Sequence, residues 1–423
     1  MPSSGPPSDA AALLALVAEH LRAGRDAQAL AACEAGLAVV PHPALLQLSG
    51  VALARLGRID EAIAVARRVA ALAPSSATSM GLGNALARGG RIEEALEAFR
   101  DAIAHDASNT AAAFNAGKAL LALGRSDEAL PLLLRRARAQ PGDFAAQQAV
   151  VDAAAAQVRR KPAAPRPPAP PMSLGRVAIG MCSVERERER SAVASLERAL
   201  QGSECSFTVV HDAKSLATAY NGILETVDAD VVILCHDDIE VIAGAMGHAL
   251  AAALGQADIV GVAGARQVRG PAVLWAGHPH VHGWVTYPRE GALDAAPLSF
   301  DHGVLSGMQA LDGVFLALGP RAQRLRFDPD TFDGFHFYDL DFTYRAHLAG
   351  LRLAVSTDVR LVHRSEGDFG DAWQRQAAAF RRKYPTLTDP AGPAHWYGAR
   401  LPDRDHVNAF YDLLATLGPG DRA

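Results

Sequence analysis

Three short stretches of this 423-residue chain gather side chains that can do polar chemistry. The first, His236-Asp237-Asp238-Ile239-Glu240, follows the apolar run Val231-Val232-Ile233-Leu234-Cys235. Acidic groups crowded at the end of a buried strand are costly unless something positive binds there. A divalent cation held by carboxylate oxygens, with a substrate diphosphate as its other ligand, is the natural candidate. The second stretch, Phe332 to Arg345, interleaves aromatic residues with Asp333, Asp339 and Asp341 and runs into a helix. A helix N-terminus stabilises carboxylates and accounts for one of the last two, but not for both. The third ends the apolar run Val359-Arg360-Leu361-Val362 with His363. A lone histidine there is ordinarily a packing residue; its place after the other two stretches singles it out.

These residues need a scaffold, and residues 177–262 supply its pattern. Apolar runs at Val177–Cys182, Phe207–His211, Val231–Cys235 and Ile259–Val262 alternate with helical stretches near 186–200, 215–226 and 243–254. The alternation predicts a parallel α/β sheet covered by helices on both faces. In such sheets ligands bind beyond the carboxyl ends of the strands, where the first stretch stands. No G-x-x-x-x-G-K-[ST] or G-x-G-x-x-G follows a strand, so phosphates would be held through the cation. Three other features read as structure. Glu185–Glu189 is a solvated helix face; His278, His280 and His282 alternate as on one face of a strand and could bind metal, but among prolines and glycines they read as a surface loop; and Trp373, Phe380 and Tyr384 form a packing stripe.

The first third is repetitive. Gly24-Arg25, Gly57-Arg58, Gly90-Arg91 and Gly124-Arg125 recur at spacings of 33, 33 and 34 residues. Ala62, Ala95 and Ala129 follow at fixed distance, Gly50, Gly83 and Gly117 precede, and Pro41, Pro74 and Pro141 close three units. Glycine permits a sharp reversal, small residues permit close helix approach, and proline ends a helix. The period and pattern, over about residues 9–157, resemble the tetratricopeptide repeat, whose concave face binds peptides or protein segments. The proline-rich segment 159–174 predicts a semi-rigid spacer. The expected domains are therefore a repeat array over 1–158, that linker, and 175–423 as a catalytic domain with a C-terminal helical extension.

Residues 175–385 resemble a GT-A glycosyltransferase of the large family 2 type. That family shows Asp-x-Asp after a strand, then Glu-Asp-x-Asp-Leu-x-x-Arg, then a valine-rich strand ending in histidine. Here His236-Asp237-Asp238, Tyr338-Asp339-Leu340-Asp341 with Arg345, and Val362-His363 take those places. With Cys182-Ser183-Val184 and Ala219-Tyr220-Asn221, the set is similar to a StrF-like subgroup, named after a streptomycin cluster protein. The expected fold is multidomain: an all-α tetratricopeptide-repeat superhelix followed by an α/β GT-A domain. The resemblance implies that Asp238 and His363 ligate Mn or Mg and that Asp339 is the general base of an inverting transfer from a nucleoside diphosphate-sugar. It also places Ser183, Asp212 and Asn221 near the nucleotide, Asp312 and Gly313 near donor sugar or acceptor, and Asp341 among the substrate-binding residues. His236 replaces the first aspartate, so that His236 or Asp237 would take over its contacts, and Tyr338 replaces the glutamate on the acceptor side.

Composition bounds the rest. With 41 basic and 46 acidic residues the net charge is -5, which argues against a general nucleic-acid binder. Hydrophobic residues at 49% are ample for buried cores. Cys33, Cys182, Cys205 and Cys235 show no C-x-x-C spacing and suggest buried thiols in a reducing compartment. The first twenty residues lack a signal-peptide pattern, and Val241–Leu254 is too short to span a bilayer. A cytoplasmic enzyme is expected, able to work against the inner face of a membrane, with a glycan, a lipid-linked molecule or a protein as acceptor and a possible protein partner on the repeats. The alternatives are a partner-binding scaffold with an inactive transferase domain, and a nucleotidyltransferase. The latter would show a glycine-rich basic signature after the first strand, where ERERER stands instead.

Overall fold

The computed structural model describes residues 10–39, 42–160, 170–271, 277, 279–365, 367–387 and 397–417. The chain divides into two compact units, Met1–Gln157 and Val158–Ala423. Most of the expected linker, together with Pro41 and His278, lies outside the described residues.

The first unit is built from helices α1 (Ala10–Arg22), α2 (Asp26–Val39), α3 (Pro43–Arg55), α4 (Ile59–Leu72), α5 (Ser76–Arg88), α6 (Ile92–His105), α7 (Thr110–Ala122), α8 (Ser126–Ala139) and α9 (Phe144–Arg160). The first eight pair into four repeats. The Gly-Arg motif makes each inner turn: Gly24, Gly57, Gly90 and Gly124 sit at φ +70° to +78°, where a side chain is strained. The next amide closes the helix before it, as Arg58 N–H donates to Leu53 O at 2.9 Å and Arg125 N–H to Leu120 O at 2.8 Å. The arginine then bonds the glutamate three residues on, at 2.7 Å for Arg58–Glu61 and 2.6 Å for Arg91–Glu94. Ala62, Ala95 and Ala129 are buried where the paired helices meet. A groove of about 680 Å³ lies in this unit, and Asn84, Asn115 and Lys118 are among its lining residues.

The second unit holds two sheets. In order along the chain, its strands are β1 (Arg176–Ser183), β2 (Glu204–His211), β3 (Val231–Cys235), β4 (Ile239–Val241), β5 (Ile259–Gly261), β6 (Ala263–Ala265) and β7 (Val281–Arg289). There follow β8 (Ala292–Pro297), β9 (Val304–Ser306), β10 (Ala310–Leu311), β11 (Phe315–Leu318), β12 (Leu353–Ser356), β13 (Leu361–His363) and β14 (Ala399–Leu401). The helices are α10 (Arg186–Ala199), α11 (Leu216–Thr226), α12 (Met246–Leu254), α13 (Tyr338–Leu348), α14 (Asp371–Lys383) and α15 (Arg404–Leu417). The main sheet runs β2-β1-β3-β11-β5-β12-β9. Its strands β2, β1 and β3 are parallel, as the alternation predicts. It is not all parallel, however: β11 is antiparallel to both β3 and β5, and β9 to β12. The chain enters β11 from β10, a strand of the second sheet, rather than through a crossover helix, so its direction reverses.

The second sheet, β10-β6-β7-β13-β4, carries the far side of the site. Apolar cores fill both faces of the main sheet; Tyr220, Phe327, Phe342 and Phe380 lie in one, and Ile179, Ile233, Leu250 and Phe315 in the other. The stripe read from the sequence joins the first of these, with Phe380 buried and Trp373 and Tyr384 packed against it.

Candidate active site

Backbone pairing gathers the polar stretches. Strand β3 ends at Cys235, and the chain crosses through His236–Asp238 into β4 of the second sheet. There β4 pairs antiparallel with β13, setting His363 opposite Ile239, the residue after Asp238. Arg364 N–H donates to Asp238 O at 3.1 Å and locks this register. On the other side β11 pairs with β3, and His236 N–H donates to Val314 O at 3.1 Å. Asp312 and Gly313, just before β11, are thus held across from His236.

The second stretch enters through a strained turn. Phe337, the residue capping α13, has φ +61°, a conformation costing a side chain about 1–2 kcal/mol. Its buried ring packs at a tilt against Trp373 and Phe380, at 5.2 and 5.6 Å between centroids, which offsets that strain. The turn aims the start of α13 at Gly313, whose N–H donates to Asp339 Oδ2 at 2.8 Å. Nothing larger than glycine fits there: a Cβ on Gly313 would stand 2.7 Å from that of Asp339 and 2.8 Å from the Tyr338 ring.

Three donor atoms converge on one point. His236 Nδ1, His363 Nε2 and Asp238 Oδ1 stand 3.3, 3.5 and 4.0 Å from one another. One point lies about 2.1 Å from all three atoms, the bond length divalent first-row cations make to imidazole nitrogen and carboxylate oxygen. The cluster therefore fits a divalent cation, and Asp238 is buried and fixed within it. Burial, and next the neighbouring His236, push the His363 pKa below its ordinary value, which keeps a ring nitrogen free to ligate. Ser365 Oγ lies 3.0 Å from that nitrogen, a contact no sequence pattern announced.

Asp339 opens onto the same cleft, yet protein surrounds its carboxyl. Desolvation, and next the charge of Asp312, push its pKa up to about 7, against the pull of the backbone amides of Leu340 and Gly313. A carboxylate titrating there can take a proton at neutral pH. His236, Asp312, Tyr338, Asp339 and His363 all line a cleft of about 780 Å³, joined by Phe335, Phe369 and Trp373. Phe335 and Phe369 are large exposed apolar side chains; Phe335 belongs to the aromatic stretch read from the sequence, whereas Phe369 was passed over.

The remaining predicted residues fall elsewhere. Ser183 Oγ donates to Asp237 Oδ2 at 2.7 Å, at the carboxyl ends of the adjacent strands β1 and β3. Asp212 is exposed at the end of β2, in a left-handed turn with φ +54°. Two expectations need correction. Asn221 spends its amide on the backbone of Phe327, donating to its carbonyl at 3.1 Å and accepting from its N–H at 2.8 Å. Asp341 is buried at 0% exposure, paired with Arg345 at 2.8 Å and Lys383 at 2.6 Å, and accepts the Tyr384 hydroxyl at 2.6 Å. Both hold α11 and α13 in place rather than face the cleft.

Residues 178–384 match a family model described as glycosyltransferase like family, and residues 6–77 and 80–144 match the tetratricopeptide repeat. No curated protein matches the chain. Among solved structures, the chain is similar to YrrB, a TPR protein with an unusual peptide-binding site, at 23% identity over 34% of this chain and 74% of that one, with a TM-score of 0.31. It is also similar to MamA from Desulfovibrio magneticus RS-1, at 20% identity over 35% and 85%, with a TM-score of 0.33. The chain thus carries a region similar to the tetratricopeptide repeat, residues 6–77 and 80–144, and a region similar to the glycosyltransferase like family, residues 178–384.

Proposed function

We propose that this protein is an inverting, metal-dependent glycosyltransferase that moves a sugar from a nucleoside diphosphate-sugar to an acceptor hydroxyl. The observation that carries the reading is one cleft lined both by a carboxyl poised to accept a proton near pH 7 and by the two histidines of a cluster that fits a divalent cation. Asp339 takes the proton of the acceptor hydroxyl. The acceptor oxygen bonds the anomeric carbon from the face opposite the leaving group, the bond from sugar to phosphate breaks, and the nucleoside diphosphate leaves. Asp238 and His363 would hold Mn or Mg, which when bound would neutralise the departing diphosphate. The Ser183–Asp237 pair and Asp212, at the carboxyl ends of parallel strands, lie where a nucleotide binds in sheets of this kind. Asp312 fixes the loop against the sugar, its Oδ1 accepting from Val314 N–H at 2.9 Å.

The repeats are assigned to docking an acceptor or a partner protein through the groove that holds Asn84, Asn115 and Lys118. Similarity to the StrF-like subgroup belongs to this reading too, resting on the Cys182–Val184 and Ala219–Asn221 segments.

The test is release of nucleoside diphosphate from a panel of donors offered with glycan, lipid-linked and peptide acceptors. The anomeric configuration of any product is read by NMR. An inverted product, with the rate falling about 10²–10⁴-fold in Asp339→Asn, is the expected result. A retained configuration, or a rate indifferent to Asp339, rejects the mechanism.

A further inference from the structure

The three-atom cluster has a composition that names its cation. We infer that His236 is a third protein ligand, set for that task by Tyr338, and that the site selects a first-row transition ion such as Mn²⁺, Co²⁺ or Zn²⁺ over Mg²⁺. The inference rests on the reading of this cluster as the transferase's cation site.

The argument begins with what faces what. Two imidazole nitrogens and one carboxylate oxygen lie within 4.0 Å of one another, His236 Nδ1 standing 3.3 Å from His363 Nε2. Two ring nitrogens so close repel one another unless a proton or a cation lies between them. Magnesium prefers oxygen ligands and keeps most of its water, whereas imidazole suits the later divalent ions. A site whose protein ligands are two-thirds imidazole therefore discriminates by ligand type, because bond length alone does not separate these ions.

The other nitrogen of His236 decides which one ligates. His236 Nε2 lies 3.0 Å from the Tyr338 hydroxyl, which in turn lies 3.5 Å from Gly313 O. Where Tyr338 Oη accepts from His236 Nε2–H, Nδ1 keeps a lone pair for the cation. Ligating histidines commonly need such a partner to fix tautomer and ring orientation. The two departures from the family pattern, histidine for aspartate and tyrosine for glutamate, therefore form one bonded unit. Tyr338 is buried between Tyr220 and Phe327, at 5.8 and 6.0 Å between ring centroids, so its hydroxyl is held firmly. It is a positioning residue, acting through His236.

The experiment uses the full chain stripped of metal by chelation. Calorimetric titrations with MnCl₂, CoCl₂ and MgCl₂ are made on wild type, His236→Asp and Tyr338→Phe, and the Mn-loaded proteins are examined by pulsed EPR for nitrogen couplings. The expected wild type binds Co²⁺ and Mn²⁺ at least tenfold more tightly than Mg²⁺ and shows two imidazole nitrogens on manganese. His236→Asp shows one nitrogen and narrows the preference by at least tenfold. Tyr338→Phe keeps the ring packing and weakens Co²⁺ binding by about 10–100-fold. A wild type with a single nitrogen coupling, or one binding Mg²⁺ as tightly as Mn²⁺, overturns the inference even where His236→Asp fails to fold. Failure of the transferase reading is separable. A chain that holds Co²⁺ through two imidazoles yet binds no nucleoside diphosphate-sugar keeps the cation assignment and loses the transferase. A chain whose donor binding is supported equally by Mg²⁺ and Mn²⁺ keeps the transferase and loses this inference.

Discussion

Asp339 is the residue on which pH should act. Its pKa of about 7 follows from burial and from the neighbouring Asp312, so activity should rise with pH through about 7 and level off above it. The stability consequence has the opposite sense. In the unfolded chain this carboxyl titrates near the ordinary carboxylate range, and in the fold well above it. Ionising it therefore weakens the fold as pH climbs between those values. In metal-free protein, Asp339→Asn should gain about 1–3 kcal/mol relative to wild type between pH 5 and pH 8, read by urea denaturation. A constant difference across that range would mean that Asp339 is not held neutral. At this scale the sequence singled out Asp238, Asp339 and His363 because each is polar at the edge of an apolar run, and the structure sets Asp238 beside His363 and Asp339 on the cleft that His363 lines. It misassigned Asn221 and Asp341, since the same polar types serve equally to bond a backbone or fill a buried ion pair. The bond between His236 and Tyr338 spans 102 residues, and no local pattern could show it.

Elements make the next scale, and glycines report on it. Two substitutions in the repeats separate backbone strain from crowding. Gly57, at φ +78°, has open space around it, so Gly57→Ala should cost only the left-handed conformation, about 1 kcal/mol. At Gly83 an added Cβ would stand 2.6 Å from a Phe99 ring carbon where α5 meets α6, and Gly83→Ala should cost about 1–3 kcal/mol through overpacking. Thermal melts of the two variants compare these terms; equal shifts would contradict the close approach at Gly83. The period-34 array was legible because each turn, cap and small residue is local and recurs in phase. The reversed strand β11 was not, since its direction depends on the detour through the second sheet.

At the scale of the whole molecule, the chain consists of two units, each with its own core. All three cluster residues and Asp339 lie in the second, so a fragment spanning residues 158–423 should bind Mn²⁺ with an affinity within about threefold of the full chain. Calorimetry on both proteins decides this, and loss of binding in the fragment would show that the repeats are needed to form the site. No helix among the described residues is long and apolar enough to cross a membrane. The scaffold alternative predicts binding through the repeats alone and no cation at the cluster of His236, Asp238 and His363.

The central claim is that the cluster of His236, Asp238 and His363 binds a nucleoside diphosphate-sugar through a cation. The most direct measurement is calorimetric titration of a donor panel into wild type and Asp238→Ala, each with and without Mn²⁺. The account predicts that one donor binds, that binding needs Mn²⁺, and that Asp238→Ala abolishes it. Binding that is indifferent to both Mn²⁺ and Asp238, or no binding by any donor, would contradict it.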